Sequence, residues 1–290
     1  MTERNVLLEV KDLKIQFGGV KAVDGLSFTV HEQEIVSVIG PNGAGKTSAF
    51  NCISGFYKPT SGNIILQGTD ITGWRTANIA KAGIARTFQN LRLFPDLTVL
   101  DNVRAGMHLY GGQNFLDAIL HTPRFKRNER FLTDEAHRWL DFVGYEGPRG
   151  VSVSNLAYGQ QRLVEIARAL ARKTPLILLD EPGAGLNHGE KAQLLDLVRR
   201  IQALGMAVVL IEHDMGLVME VSERIVVLNF GKEIADGLPA DIKANPAVIE
   251  AYLGRDDDEE EAAQIAADAT QFGIGTSAIR TQKPRKEGKE

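Results

Sequence analysis

The eight residues Gly40-Pro41-Asn42-Gly43-Ala44-Gly45-Lys46-Thr47 fit the spacing G-x-x-x-x-G-K-[ST], and they follow directly on the apolar run Ile35-Val36-Ser37-Val38-Ile39. A strand that ends in such a loop, with helix-competent sequence behind it, restricts the chain to α/β architectures built to hold a phosphate chain. Wrapping a polyanion requires main-chain N–H groups that turn inward, and glycines allow the positive φ values and the close approach this takes. A helix beginning near Lys46 then aims its positive end at the same point. On this chemistry Lys46 reaches the β- and γ-phosphates as a cation, and the Thr47 hydroxyl holds Mg²⁺. The chain reads as a nucleoside-triphosphate protein.

Composition narrows the class further. With 290 residues, 43% of them hydrophobic, the chain can bury one large core or two small ones. A net charge of −4 argues against a surface that coats nucleic acid. Cys52 is the single cysteine, so no internal disulfide is expected and a cytosolic compartment is the natural reading. Its expected place is that of a small buried apolar residue on the helix after the loop. No window approaches the roughly 18 apolar residues of a membrane span, and the N-terminal residues lack a leader pattern. The expectation is a chain that is neither secreted nor membrane-spanning by itself.

Along the chain, Leu7 to Leu13 and Leu26 to Val30 alternate apolar and polar residues around a turn at Phe17-Gly18-Gly19, which predicts an antiparallel start. A strand at Ile35–Ile39, the loop and a helix to about Ser54 form half of a nucleotide core. Pro59-Thr60-Ser61-Gly62 then turns into strand sequence at Asn63–Gln67. From about 94 to 171 the pattern is helical, with helices opening at Thr98, over Asp134–Val143 and over Tyr158–Ala171. Within it, Gly111, Gly112, Pro123 and the cations Arg124, Lys126, Arg127 and Arg130 predict a basic surface loop. Short apolar runs at 175–179, Ala207–Ile211 and Ile225–Leu228, with a helix at Gly189–Leu204 between them, predict a parallel sheet covered on both faces. Residues 1–254 are expected to form one domain with a helical subdomain at about 94–171. The rest, 255–290, with six consecutive acids from Asp256 to Glu261, is expected to be a disordered charged tail.

Phosphoryl transfer to water needs a metal holder, a group that orients or deprotonates the water, and a γ-phosphate sensor. Asp180 ends an apolar strand, where ligands bind in open α/β sheets, and is the candidate for the Mg²⁺ shell. Glu181 follows it as the candidate general base. His31, His108, His121, His137 and His188 show no paired ligand spacing and are assigned no site.

With these motifs in order, residues 7–254 resemble the nucleotide-binding subunit of ATP-binding-cassette (ABC) transporters. The resemblance implies an ABC ATPase fold: a P-loop NTPase core with an antiparallel β subdomain and a helical insertion. It implies a phosphate-loop set of Gly40, Asn42, Gly43, Ala44, Gly45, Lys46, Thr47 and Ser48, with Phe17 stacking on adenine. Arg86-Thr87-Phe88-Gln89 resembles the Q-loop, which makes Gln89 a Mg²⁺ and γ-phosphate contact, and His213 resembles the switch histidine. Leu156-Ala157-Tyr158-Gly159-Gln160 resembles the signature, and Ala184-Gly185-Leu186-Asn187 the D-loop. Ala157 stands where the family has serine, Tyr158 where it has glycine, and Asn187 where it generally has aspartate. Those departures bear on the rate of hydrolysis and leave nucleotide binding itself intact.

In this family a signature contacts the ATP held by the opposite subunit, so the resemblance implies a dimer of cassettes joined by Mg-ATP. It also implies two membrane permease subunits, docked through the Gln89 region and the helical insertion, and a periplasmic substrate-binding protein acting indirectly. The place of work would be the cytoplasmic face of the inner membrane. The runs from Pro41 to Thr47, Phe50 to Thr60 and Ala85 to Phe94, with the signature and the Asn-terminated D-loop, resemble the larger ATPase subunit of branched-chain amino-acid uptake systems. Related subunits serve urea or amides. A different class, soluble ABC ATPases that act on nucleic acid or ribosomes, usually carries two cassettes or long coiled coils; this chain has one cassette and no sustained heptads.

Overall fold

The computed structural model describes residues 4–107 and 122–253. The segment read around Gly111-Gly112, His108, His121 and the charged tail lie outside the described residues.

Two sheets share one core. Strands β1 (Val6–Phe17) and β2 (Val20–His31) form a hairpin closed at Gly18-Gly19, and β4 (Ser61–Leu66) and β5 (Thr69–Asp70) complete an antiparallel sheet in the order β2-β1-β4-β5. The second sheet runs β10-β9-β3-β8-β7-β6 and comprises β3 (Ile35–Ile39), β6 (Ile84–Arg86), β7 (Leu176–Asp180), β8 (Ala207–Ile211), β9 (Arg224–Asn229) and β10 (Lys232–Gly237). Only β10 is antiparallel, an edge strand that the apolar-run criterion passes over because its burial alternates weakly.

Helix α1 (Lys46–Ile53) leaves the loop after β3. Helices α2 (Thr76–Ala82), α3 (Val99–Gly106), α4 (Pro123–Phe142), α5 (Tyr158–Leu170), α6 (His188–Ala203), α7 (Met215–Val221), α8 (Pro239–Ala244) and α9 (Pro246–Leu253) follow in order. Strands β3, β7 and β8 at the centre of this sheet bury both faces, as their apolar runs require. Ile35, Ile177, Leu179, Val208 and Leu210 face a core shared with α3, α4, α5 and α6. Val36, Val38, Leu176, Leu178, Val209 and Ile211 face the antiparallel sheet and the α1 residues Phe50, Cys52 and Ile53. Cys52 is fully buried, and burial pushes its thiol up to about 12, so it is the inert core residue expected.

One expectation is corrected. The cations Arg124, Lys126, Arg127 and Arg130 are exposed, as expected, but they ride on helix α4 and not on a loop. Pro123, read as a breaker, occupies the first helical turn, where a missing N–H costs nothing, and the Thr122 side chain caps the helix by accepting from Phe125 N at 3.2 Å.

Register is what gathers the chemistry. Asp180 pairs with Ile211, Val38 with Ile211 and Arg86 with Leu178. The C-terminal ends of β3, β6, β7 and β8 therefore stop at one level and release the phosphate loop, Thr87–Gln89, Glu181 and Glu212–His213 at one edge of the sheet.

Candidate functional site

The phosphate loop is held by backbone contacts that tolerate no side chain at two of its glycines. A Cβ at Gly40 would stand 2.0 Å from the Leu228 carbonyl oxygen, and one at Gly45, whose φ is +105°, would stand 2.3 Å from that of Ala22. The hairpin β1–β2 and the turn after β9 thus press the loop into shape, and the Gly231 N–H donates to the Ala44 carbonyl at 2.9 Å. Lys46 is 5% exposed, and its ammonium donates to the Gly40 carbonyl and, at 3.1 Å, to that of Pro41. Thr47 is exposed and Ser48 half-buried in the first turn of α1, at the positive end of that helix. Asn42 and Gly43 are exposed and Ala44 is buried.

Beside the loop, Glu181 stands between the two residues read as its companions. Gln89 Nε2 donates to Glu181 Oε2 at 2.8 Å, and His213 Nε2 lies 2.5 Å from Glu181 Oε1. The Glu181 backbone has φ +47°, a left-handed conformation rare for a residue with a side chain and characteristic of functional positions. Its amide donates to the Ile211 carbonyl at 2.9 Å, which fixes the turn that projects the carboxylate off the sheet.

Asp180 is 2% exposed, and Arg86 Nη2 donates to its Oδ2 at 2.7 Å while Oδ1 is buried without a partner. An orphaned carboxylate oxygen at the strand ends that also release the phosphate loop suits a cation that also touches phosphate. Among the described residues no three His, Cys, Asp or Glu side chains converge as a metal cage. Mg²⁺ is commonly held by one or two side chains together with substrate phosphates.

Three contributors went unassigned in the sequence reading. Arg86 binds Asp180, Asn51 Oδ1 at 2.9 Å and Ser54 Oγ at 2.6 Å, and its guanidinium lies over the rings of Phe50, Phe56 and Phe88. Its strand, β6, is three residues long, too short for a sequence period to mark it. Glu212 is 4% exposed and accepts from Gly183 N at 2.5 Å and His213 N at 3.2 Å, thereby holding the approach to the D-loop. Burial pushes its carboxyl above the usual range, against the pull of those two N–H donors. Tyr57 meets Phe17 edge to face at 5.1 Å, steadying a ring that is 46% exposed on the hairpin end.

The signature opens helix α5. Ala157 is its N-cap and, having no oxygen, leaves the first turn without a side-chain acceptor. Gly159 and Gln160 line a cleft of about 720 Å³ together with Leu186 and Glu190. A Cβ at Gly185 would meet the Tyr158 ring at 3.3 Å, so signature and D-loop lie against each other within the chain. Asn187 caps α6: its Oδ1 accepts from Glu190 N at 3.0 Å, and Glu190 Oε2 accepts from Asn187 N at 2.9 Å. Ala184 is half-buried and ends the turn whose amide donates to the Glu181 carbonyl at 3.2 Å, and Leu156 accepts from Gln161 Nε2 at 2.9 Å.

Known proteins resemble this chain in family and in fold. Residues 23–184 match the family described as "ABC transporter". The chain belongs to that family. Residues 232–258 match a further family, "Branched-chain amino acid ATP-binding cassette transporter". The chain is 47% identical, over 86% of its length and 98% of the relative's, to the high-affinity branched-chain amino acid transport ATP-binding protein BraF of Pseudomonas aeruginosa. A crystal structure of the ADP conformation of an ATP-binding cassette of an ABC transporter superposes with a TM-score of 0.75 at 30% identity, covering 87% of this chain and 100% of the other. A dimeric post-hydrolysis cassette bound to ADP and Pi matches with a TM-score of 0.69 at 25% identity, covering 80% and 99%. The expected ABC ATPase fold is therefore the observed one, and the chain is an ATP-binding cassette of the transport-ATPase type. No helix among the described residues is long and apolar enough to cross a membrane.

Proposed function

We propose that the chain is the ATP-binding and ATP-hydrolysing subunit of an importer for branched-chain or other hydrophobic amino acids. It would work as one of two paired cassettes on two permease subunits, at the cytoplasmic face of the inner membrane. A periplasmic substrate-binding protein would deliver the solute, which never touches this chain. The observation that carries the catalytic reading is the Glu181 carboxylate, gripped by Gln89 and His213 beside the phosphate loop. The 47% identity to a branched-chain amino acid transport ATP-binding protein supports the substrate.

In this reading Phe17, steadied by Tyr57, stacks on adenine, and the main chain of 40–48 wraps the phosphates. Lys46 exchanges its loop carbonyls for β- and γ-phosphate oxygens. Thr47, Gln89 and Asp180 hold Mg²⁺, which when bound would neutralise the charge gathering on the phosphates. Glu181 takes a proton from the attacking water, and His213 and Gln89 keep its two oxygens aimed. The signature residues Leu156 to Gln160, with the α5 N-terminus, complete the pocket of the opposite cassette.

The test is ATPase activity of the complex isolated from membranes with its partners attached, assayed with binding protein loaded with single solutes. Stimulation by leucine, isoleucine or valine is the expected result. Stimulation confined to urea or an amide would reassign the substrate, and activity stimulated by nucleic acid in the absence of permease subunits would overturn the transport reading.

A further inference from the structure

Arg162 is 1% exposed, and at that depth both of its terminal nitrogens are engaged while Nε has no partner. Nη1 donates to the Phe88 carbonyl at 2.7 Å and to Glu165 Oε2 at 2.9 Å. Nη2 donates to the Gln89 carbonyl at 3.1 Å and to the Tyr158 hydroxyl at 2.8 Å. Glu165, equally buried, spends its other oxygen on the Arg92 amide at 3.2 Å, and the Arg92 guanidinium lies 4.5 Å from the centre of the Phe88 ring. One planar cation therefore joins the first turn of the signature helix to the main chain that carries Gln89. The ring of Tyr158 rests beside Gly185, so the same tyrosine also touches the D-loop.

Tyr158 occupies a position at which the family pattern has glycine, which has no side chain to meet the guanidinium four residues on. We propose that Tyr158 and Arg162 are a positioning pair that fastens the signature helix to Phe88–Gln89 of the same chain, so that a change in the hold of Gln89 on Glu181 in one composite site is passed to the signature at work in the other. The inference rests on the paired-cassette reading above. A fixed link of this kind transmits a shift because the guanidinium fork is planar: moving the Gln89 carbonyl without moving the Tyr158 hydroxyl breaks one of two bonds made by the same nitrogen.

Tyr158→Phe removes one acceptor and keeps the ring. In the full-length chain, hydrogen exchange of peptides covering 86–93 should quicken by about tenfold, the effect of losing one hydrogen bond to a charged donor. Exchange in strand β8 should stay as it was, which separates a local release from a general loss of stability. In the assembled transporter, the variant should lower turnover several-fold, and this loss should vanish when it is added to Gln89→Ala, because both act through the same segment. Unchanged exchange at 86–93, undiminished turnover, or a loss that multiplies in full on the Gln89→Ala background would each overturn the pair. Should Gln89→Ala have no measurable turnover, the exchange result decides. Failure of the paired-cassette reading would show separately, in the wild-type protein, as turnover per chain that is independent of cassette concentration.

Discussion

Glu212 keeps a carboxylate 4% exposed, next to the chemistry, on the strength of two backbone donors, and its burial raises its affinity for a proton in the folded chain above that in the unfolded one. A group of this kind favours the fold most below its unfolded pKa, and that contribution is lost as pH rises towards its folded value. Glu212→Gln retains an oxygen for Gly183 N and removes the charge. The variant should melt above the wild type at pH 8, and the difference should shrink as pH falls through the carboxylate range, as calorimetry at both ends would reveal. A gap that widens in acid would contradict the assignment. Lys46 poses the opposite problem, a buried cation resting on carbonyl oxygens that phosphate oxygens would replace. Lys46→Ala should weaken binding of a fluorescent ATP analogue by about 100-fold, the worth of two charge-assisted bonds, and unchanged affinity would count against the loop.

Two helices that begin side by side are capped unequally. Helix α6 starts with a complete capping box at Asn187 and Glu190, whereas α5 starts at Ala157 with no side-chain acceptor. Asn187→Ala should cost about 1 kcal/mol, and Ala157→Ser should gain up to about 1 kcal/mol, both read as shifts of urea midpoint at constant slope. The Ser variant should also preserve or raise ATP hydrolysis in the assembled transporter, since it restores a hydroxyl at the signature. Elements with a strong local signature were legible in the sequence: β3 and β8 are fully buried apolar runs, and the amphipathic stripe of α5 begins at its expected residue. Helix α4 was legible only in its second half, because Pro123 and four cations hide a capped start behind residues that usually mark a loop. Strand β6 is three residues long, too short for any period to register, so the pairing that sets Arg86 next to Asp180 could not be read. Arg162 illustrates the same limit: a charged residue on a helix reads as solvated until the packing of α5 against Phe88–Gln89 buries it.

At the scale of the molecule, the register of the sheet places the phosphate loop, Asp180, Glu181 and His213 at one edge, while the signature opens a different helix beyond the D-loop. On the proposed reading each half completes the other's pocket across a pair of chains, and the pair persists only while the terminal phosphate bridges them. Glu181→Gln separates these steps. The amide keeps the shape of the carboxylate between Gln89 and His213 but cannot take the proton of water, so turnover should fall by about 100-fold or more, the range of one general base. Nucleotide affinity should survive, because the loop is untouched. With Mg-ATP the variant should then run at twice the monomer mass in light scattering, and with ADP at the monomer mass, a shift that requires ATP to bind the closed pair far more tightly than the open one. Undiminished turnover would remove Glu181 from its role as base, and a monomer in Mg-ATP with turnover abolished would remove the nucleotide from its role as the bond between chains.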